Sequence, residues 1–386
     1  MQRWLLKNIS FILLQSPIFC LLLINLSCGN SRKNIVCTVS EDSFRVNPLL
    51  LNGKSLIKNI ADENYLQSYD EKENSISFWK FGAAAPLFTI KPHLNFDDDR
   101  IGKLIQFDIY KRDSIFIVTE NYIFLLDKNG EISFKKDISN SVLDDTGHQV
   151  VFLDNSNQYP LYFDSTKNDL YIRCSCNCYF MEPEFFQTRV EARFNLKDEK
   201  FSFLKYGFPE KYRHHFYGQL VFPFREINKQ LNVISFQCDD SIYVYDRETN
   251  TIKSYNGKST YQKEPFLTFD TSYKEDIERL KEHLIQTPVY QKILFDKYKN
   301  LYYRFFWNSQ SLISSSGQYH GIFDRDLILM VFDKNFKLIA EKNIGNSYLW
   351  YYSFVSPKGL YIRKAIFDKK TRQNQEYDHF SVFSYN

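Results

Sequence analysis

Three cysteines at alternate positions, Cys174, Cys176 and Cys178, form the densest group of soft metal ligands in the chain. Thiolates are good zinc ligands, and alternate residues of an extended strand share one face. That geometry also spaces them about 6.6 Å apart, twice the rise per residue, too far for three to reach one ion without a bend. No Cys-x-x-Cys and no spaced histidine pair follows them. They read as small buried hydrophobes, and neither a metal site nor a cofactor is expected. With Cys37 and Cys238 they make five cysteines after residue 28. An odd number rules out a complete disulfide framework.

Arg213-His214-His215 places two imidazoles side by side. Neighbours on an extended chain face opposite ways, so the pair is not expected to chelate, although one histidine at a rim could act as a general base. Asp97-Asp98-Asp99-Arg100 and Asp144-Asp145 offer paired carboxylates, the groups that cleave glycosidic bonds or hold calcium. Neither has the Asp-x-Asp-x-Asp-Gly spacing of a calcium loop, and aspartate is common in turns for its backbone hydrogen bonds. The stretch 309–319, with Ser314-Ser315-Ser316-Gly317, reads as a flexible insertion. It lacks the Gly-x-Ser-x-Gly of a nucleophile elbow and a phosphate loop ending in Gly-Lys-Ser/Thr. No catalytic residue is assigned.

The first twenty-eight residues carry a different chemistry. Arg3 and Lys7 precede an apolar run from Ile9 to Leu26, interrupted by Gln15-Ser16-Pro17 and Asn25, that ends in Ser27-Cys28-Gly29. This is the layout of a secretory signal. A cysteine directly after the small residue resembles a bacterial lipobox, with Cys28 as the lipidated first residue of the mature chain. Asn25 stands where a lipobox usually has an aliphatic residue. A spanning helix needs about 20 mostly apolar residues, and the interruption at 15–17 argues against one. Residues 1–27 are therefore expected to be a signal peptide, 28–40 a tether and 41–386 a single domain, held to the membrane by acyl chains. Cleavage would leave 359 of the 386 residues and, without Arg3 and Lys7, lower the net charge from +3 to +1. A near-neutral chain with interspersed charges has no basic face for nucleic acid.

The elements that must position these groups are strands. Segments 104–108, 114–119, 122–127 and 132–137 are rich in Ile, Phe and Val and are joined by tight turns, including Asn129-Gly130, a strong hairpin signal. Four sequential strands with short connections are what one propeller blade is. The pattern recurs at 161–164, 169–174, 189–195 and 201–204; at 220–224, 231–236, 241–246 and 251–255; and at 293–296, 301–306, 327–333 and 338–342. Shorter cues mark a blade before these (66–69, 75–79, 86–90) and one after (349–354, 359–363, 379–385). The expected fold is all-β, a six-bladed β-propeller. The last copy shows three strands, so a strand near 44–51 is expected to complete it and remove an exposed edge. One short inserted helix is expected after Ser272, with Ile277, Leu280 and Leu284 on its apolar stripe and Pro288 as its stop. Aromatics make up 17% of the chain, and they read mainly as strand formers that fill a β core.

Arg304 belongs to a strand that alternates Tyr302/Arg304/Phe306 with Tyr303/Phe305/Trp307. It could fix an anion near the channel, but an inter-blade ion pair or cation–π contact is the favoured reading. The candidate ligand-binding residues are thus Arg213, His214, His215, Arg304, Tyr319 and His320.

Tyr65-Leu66, Asn74-Ser75-Ile76, Pro288-Val289-Tyr290 and above all the run 294–305, containing Tyr302-Tyr303-Arg304, resemble a family of uncharacterised Bacteroidetes lipoproteins. That family carries a domain of unknown function and is similar to six-bladed β-propellers. The resemblance implies fold and location and leaves the chemistry open. The expected function is a lipid-anchored envelope module, monomeric, that binds a protein or glycan partner. It would sit in the outer membrane facing the periplasm, with the cell surface as the alternative. A glycan-active hydrolase or lyase using Asp98 or Asp145 with His214 is the competing reading.

Overall fold

The computed structural model describes residues 37–45, 54–60, 63–83, 85–139, 142–153, 158–180, 182–365 and 377–385. Six antiparallel sheets follow one another along the chain. The first blade is β1's neighbour in sequence and comprises β2 (Lys54–Ile60), β3 (Glu63–Asp70), β4 (Ser75–Lys80) and β5 (Phe88–Ile90), where β1 is Cys37–Arg45. The second is β6 (Leu104–Lys111), β7 (Ser114–Thr119), β8 (Tyr122–Leu126) and β9 (Ile132–Asp137). In the third, β10 (Val150–Phe152) and β11 (Tyr162–Asp164) both pair with β12 (Asp169–Cys176), followed by β13 (Glu191–Asn195) and β14 (Lys200–Phe203). The fourth is β15 (Pro223–Asn228), β16 (Leu231–Phe236), β17 (Ser241–Asp246) and β18 (Thr251–Asn256). The fifth is β19 (Val289–Asp296), β20 (Leu301–Trp307), β21 (Leu327–Phe332) and β22 (Leu338–Gly345).

The sixth blade closes the ring. Its order is β23 (Tyr348–Ser356), β24 (Gly359–Lys364), β25 (Tyr377–Tyr385) and then β1, paired antiparallel from Cys37↔Tyr385 to Arg45↔Tyr377. The N-terminal strand therefore completes the last blade as expected, but it begins at Cys37. Residues 37–40 belong to the sheet rather than the tether, because pairing every backbone group of β25 requires all nine residues of β1. Of the expected strand at 44–51, positions 46–51 lie outside the described residues, as does Cys28. The strand missing from the first blade's cues is β2, whose Lys54-Ser55-Leu56-Ile57-Lys58 alternates too weakly to stand out.

The core lies between blades. In β7, Ile115 and Ile117 pack toward the first blade, while Phe116 and Val118 pack toward the third. Period-2 alternation thus serves two apolar layers at once, which is why such strands read as continuous hydrophobic runs. The same division splits β20: Tyr302 and Phe306 join the layer shared with the fourth blade, and Tyr303, Phe305 and Trp307 that shared with the sixth. At the closure, Phe44 and Phe81 lie 4.7 Å apart between centroids, and Phe81 and Phe354 also 4.7 Å. Burying one such ring contributes about 1.5–3 kcal/mol.

Four hairpins share one local device, Asp-x-x-x-Asn, at Asp70/Asn74, Asp164/Asn168, Asp246/Asn250 and Asp296/Asn300. Each aspartate accepts from a backbone N–H two residues on. Each asparagine has φ between 44° and 57°, a left-handed conformation it tolerates better than most residues.

The expected inserted helix is α2 (Ile277–Gln286), and the described residues also hold a single helical turn, α1 (Lys211–His214). Asp276 caps α2, accepting from Glu278 and Arg279 N–H at 3.1 Å each. Ser272 instead sits in a preceding 3-10 turn. Ile277, the first helical residue, is 65% exposed at the helix tip, while Leu280, His283 and Ile285 are buried. His283 takes a place on the apolar stripe because its Nε2 bonds the Leu267 carbonyl at 2.8 Å.

Candidate functional site

Successive connections of an antiparallel meander alternate between its two ends, and this separates the molecule into unlike faces. Most first-to-second and third-to-fourth strand connections are tight: 112–113, 165–168, 229–230, 297–300 and 357–358, with 127–131, 196–199, 247–250 and 333–337; 81–87 of the first blade is longer. Among the described residues, the connections of twelve residues or more lie at the opposite end: 91–103, 138–149, 177–190, 204–222, 257–288 and 308–326. This elaborated face holds every candidate residue described except Arg304.

Most of its charged candidates are tied to a local partner. Asp98 pairs with Arg100 at 2.7 Å, and that guanidinium holds the carboxyl low, at about 2. Asp145 receives both arms of Arg189, at 2.6 and 2.7 Å. Asp144 accepts from Thr146, His148 and the Arg189 backbone. Arg213 and His214, on α1, both reach Glu210, at 3.3 and 3.1 Å. His215 is exposed, with its ring 6.4 Å from that of Tyr217. The acids and histidine of the hydrolase reading are thus paired separately, in three different connections.

The cysteine run also resolves differently. Cys176 and Cys178 form a disulfide across a gap of two residues, while Cys174, Cys238 and Cys37 are free. Burial pushes the Cys174 and Cys238 thiols up, so both stay protonated. Among the described residues no group of three His, Cys, Asp or Glu side chains could hold a metal.

Arg304 does not line a surface. It is fully buried, and its guanidinium lies 3.8 Å from the centroid of the Tyr290 ring. Nε donates to Ser235 Oγ (2.9 Å), Nη1 to the Asp240 and Gly257 carbonyls (2.9 and 3.2 Å), and Nη2 to the Asp239 and Ser241 carbonyls (2.6 and 3.2 Å). All five N–H donors of the side chain are engaged by the fourth blade. A Cβ on Gly257 would lie 2.7 Å from Nη1, so glycine is required there by close approach. Arg304 fastens two blades and is withdrawn from the ligand-binding set; the inter-blade reading is the one the geometry supports.

Tyr319 and His320 sit in the 308–326 connection. Tyr319 is 80% exposed, and His320 Nδ1 contacts the Ser311 carbonyl at 2.7 Å. At the base of this connection lies a cavity of about 250 Å³ lined by Tyr261, Asn308, Ser309, Gln310, Asp324, Arg325, Asp326, Ile328 and Asn343. Arg325, 2% exposed, stacks over Trp307 at 4.5 Å and donates Nε to the Ile322 carbonyl (3.2 Å) and Nη1 to the Thr287 carbonyl (3.0 Å).

A second cavity, of about 260 Å³, occupies the central channel toward the tight-turn end, among inner-strand residues that include Leu56, Arg225, Glu226, Lys292 and Ser353. Lys292 Nζ donates to the Ser353 carbonyl at 3.1 Å. Burial raises the Glu226 carboxyl and lowers the Lys292 ammonium, each toward its neutral form. Beside them Arg225 pairs with Glu191, which also accepts from Tyr159 (3.0 Å), Tyr206 and Asn232 (2.9 Å). Arg325, Glu226 and Lys292 are absent from the sequence-based candidates. The one available signal is a charge flanked by apolar strand residues, as in Phe224-Arg225-Glu226-Ile227 and Asp324-Arg325-Asp326 ahead of Leu327-Ile328-Leu329.

Comparison with known proteins agrees with this architecture. A crystal structure of a DUF4221 family member from Bacteroides vulgatus superposes with a TM-score of 0.68 at 18% identity, covering 90% of this chain and 96% of that one. A candidate exported protein from Bacteroides fragilis aligns over 90% of this chain and 95% of its own at 9% identity, with a TM-score of only 0.46. No curated protein matches the sequence. Residues 91–343, from the entry to the second blade through nearly all of the fifth, match the domain of unknown function DUF4221, and the chain belongs to that family.

Proposed function

We propose that the protein is an envelope propeller, exported and lipid-anchored through Cys28, that binds a protein or glycan partner with its elaborated face. One observation carries the reading. Of the twelve large hydrophobic side chains exposed among the described residues, nine lie in the long connections of this face. They are Leu143, Tyr179 and Phe222; Leu267, Tyr273 and Ile277; and Ile313, Tyr319 and Phe323. Clustered exposed apolar and aromatic groups rimmed by polar residues mark interaction surfaces, and loops on a rigid scaffold commonly carry binding. Among the described residues, the opposite end, built mostly from tight turns, contributes Leu87 alone from its connections.

The test uses the mature chain, immobilised and exposed to a detergent extract of the native envelope. A Tyr179→Ser/Tyr319→Ser/Phe323→Ser variant should lose the retained component, while Leu87→Ser should keep it. Equal retention by both variants would place binding elsewhere. Mass spectrometry of the mature N-terminus tests the anchor: a diacyl- or triacyl-Cys28 is expected, and an unmodified cysteine or an intact Met1 refutes it.

A further inference from the structure

We propose that the cavity at the base of the 308–326 connection is a binding site for one acidic sugar unit, with Arg325 receiving the carboxylate. The inference rests on the reading of the elaborated face as the binding face and names the chemistry of one ligand group.

Arg325 carries the argument. A buried charge is costly unless paired, yet no carboxylate among the described residues lies within 4.0 Å of this guanidinium, and its protein partners are two neutral carbonyls. Of the five N–H donors an arginine carries, three are left without a protein acceptor. Burial lowers its pKa to about 9, and no nearby acid raises it again, so it remains cationic at neutral pH. A planar guanidinium matches a carboxylate bidentately, and Trp307 fixes its plane from one side.

The rest of the lining suits hydroxyl groups. Asp324 and Asp326 each have one oxygen engaged, by the Gly321 N–H at 2.6 Å and by Asn343 Nδ2 at 2.7 Å, which leaves the other to accept from a ligand. Gln310 Oε1 is buried with no partner. Asp324 and Asp326 disfavour a ligand carboxylate anywhere but directly against the Arg325 guanidinium, while their free oxygens and Gln310 Oε1 accept sugar O–H donors, so the lining has room for one acid, at Arg325, and for several hydroxyls. The cavity of about 250 Å³ falls below the roughly 300–1,000 Å³ of pockets for drug-sized ligands, which limits the occupant to a single small unit.

The test is calorimetric titration of the mature protein with D-glucuronate, D-glucose and a dipeptide bearing a free C-terminal carboxylate. Glucuronate should bind at least about tenfold more tightly than either of the others, since each lacks half of the recognised chemistry. Arg325→Gln should abolish glucuronate binding. Because this buried variant could fail to fold, Asn308→Asp provides a second arm: it leaves the guanidinium in place, adds a negative charge to the lining, and should weaken glucuronate at least about tenfold while sparing glucose. Glucuronate and glucose binding alike, tighter binding of the dipeptide, or glucuronate affinity unchanged in Asn308→Asp would each overturn the assignment. If glucuronate fails to bind while the aromatic variant still loses its envelope partner, the acidic-sugar site falls and the binding face stands.

Discussion

Replacing Arg304 with leucine should loosen the propeller at the junction of its fourth and fifth blades. The substitution removes the guanidinium from above Tyr290 and takes away the donors that serve Ser235 and four backbone carbonyls. Asp240 O keeps a partner, the Gly257 N–H at 2.9 Å, so not every acceptor is orphaned. An unsatisfied buried acceptor costs about 1–3 kcal/mol, and a desolvated cation–π contact is worth about 2 kcal/mol. Relief of the guanidinium's own desolvation offsets part of this. The expected loss is about 4 kcal/mol. With a urea m-value of about 3 kcal/mol/M, the unfolding midpoint should drop by more than about 1 M. Arg304→Lys keeps the charge but offers three donors without the planar fork, and should fall between leucine and the natural residue. A midpoint for Arg304→Leu equivalent to less than about 0.5 kcal/mol of change, the range of ordinary surface substitutions, would refute the inter-blade role.

Truncating the mature chain to begin at residue 47 removes β1 and exposes the edge of β25. It should lower the thermal midpoint of the whole body in one cooperative transition by circular dichroism, and an unchanged midpoint would count against ring closure. Burial holds the His283 pKa below its usual 6.5, so its stabilising contribution is complete above that value and is lost as pH falls through the lower folded pKa. Urea midpoints measured from about pH 7 down to 5 should therefore decline less steeply in His283→Gln than in the natural protein; identical slopes would reject the assignment. In a soluble form starting at residue 29, a thiol reagent should label Cys37 alone in the native state and reach the buried Cys174 and Cys238 only on unfolding. Rapid labelling of two or more sites would show that the disulfide or the burial is wrong.

The propeller was legible because its blades are built from local signals repeated along the chain. Tight turns and β-branched or aromatic runs mark β7, β16 and β20 within a residue or so, since each strand is buried on both faces and can afford few polar residues. Elements that depend on distant partners were harder to see. The edge strand β1 is specified by pairing with β25, more than 330 residues away. β2 sets Lys58 against Asp108 of the next blade at 2.7 Å, a long-range pair that looks like a surface charge in sequence. The division of the third blade's inner strand into β10 and β11 likewise follows from an intervening excursion that puts Tyr159 against Glu191 and Tyr206.

The site was less legible than the fold, and the reason is physical. Sequence reading favours charges in turns, and Asp98, Asp145 and His214 are there, each neutralised by a neighbour in sequence or by Arg189. A charge that meets its counterion is structurally satisfied and has little left for a ligand. The informative residues are those the fold buries without satisfying, and burial of one side chain is a property of the closed ring rather than of the local sequence. Arg304 and Arg325 make the contrast: both occur near apolar strand residues, both are buried, and both lie over an aromatic ring. Arg304 has five protein acceptors and holds blades together, whereas Arg325 has two and opens onto a polar cavity. Loss of Arg304 should therefore be read in unfolding, and loss of Arg325 chiefly in binding. A variant pair with those effects exchanged would show that counting unsatisfied donors does not separate scaffold from site in this propeller.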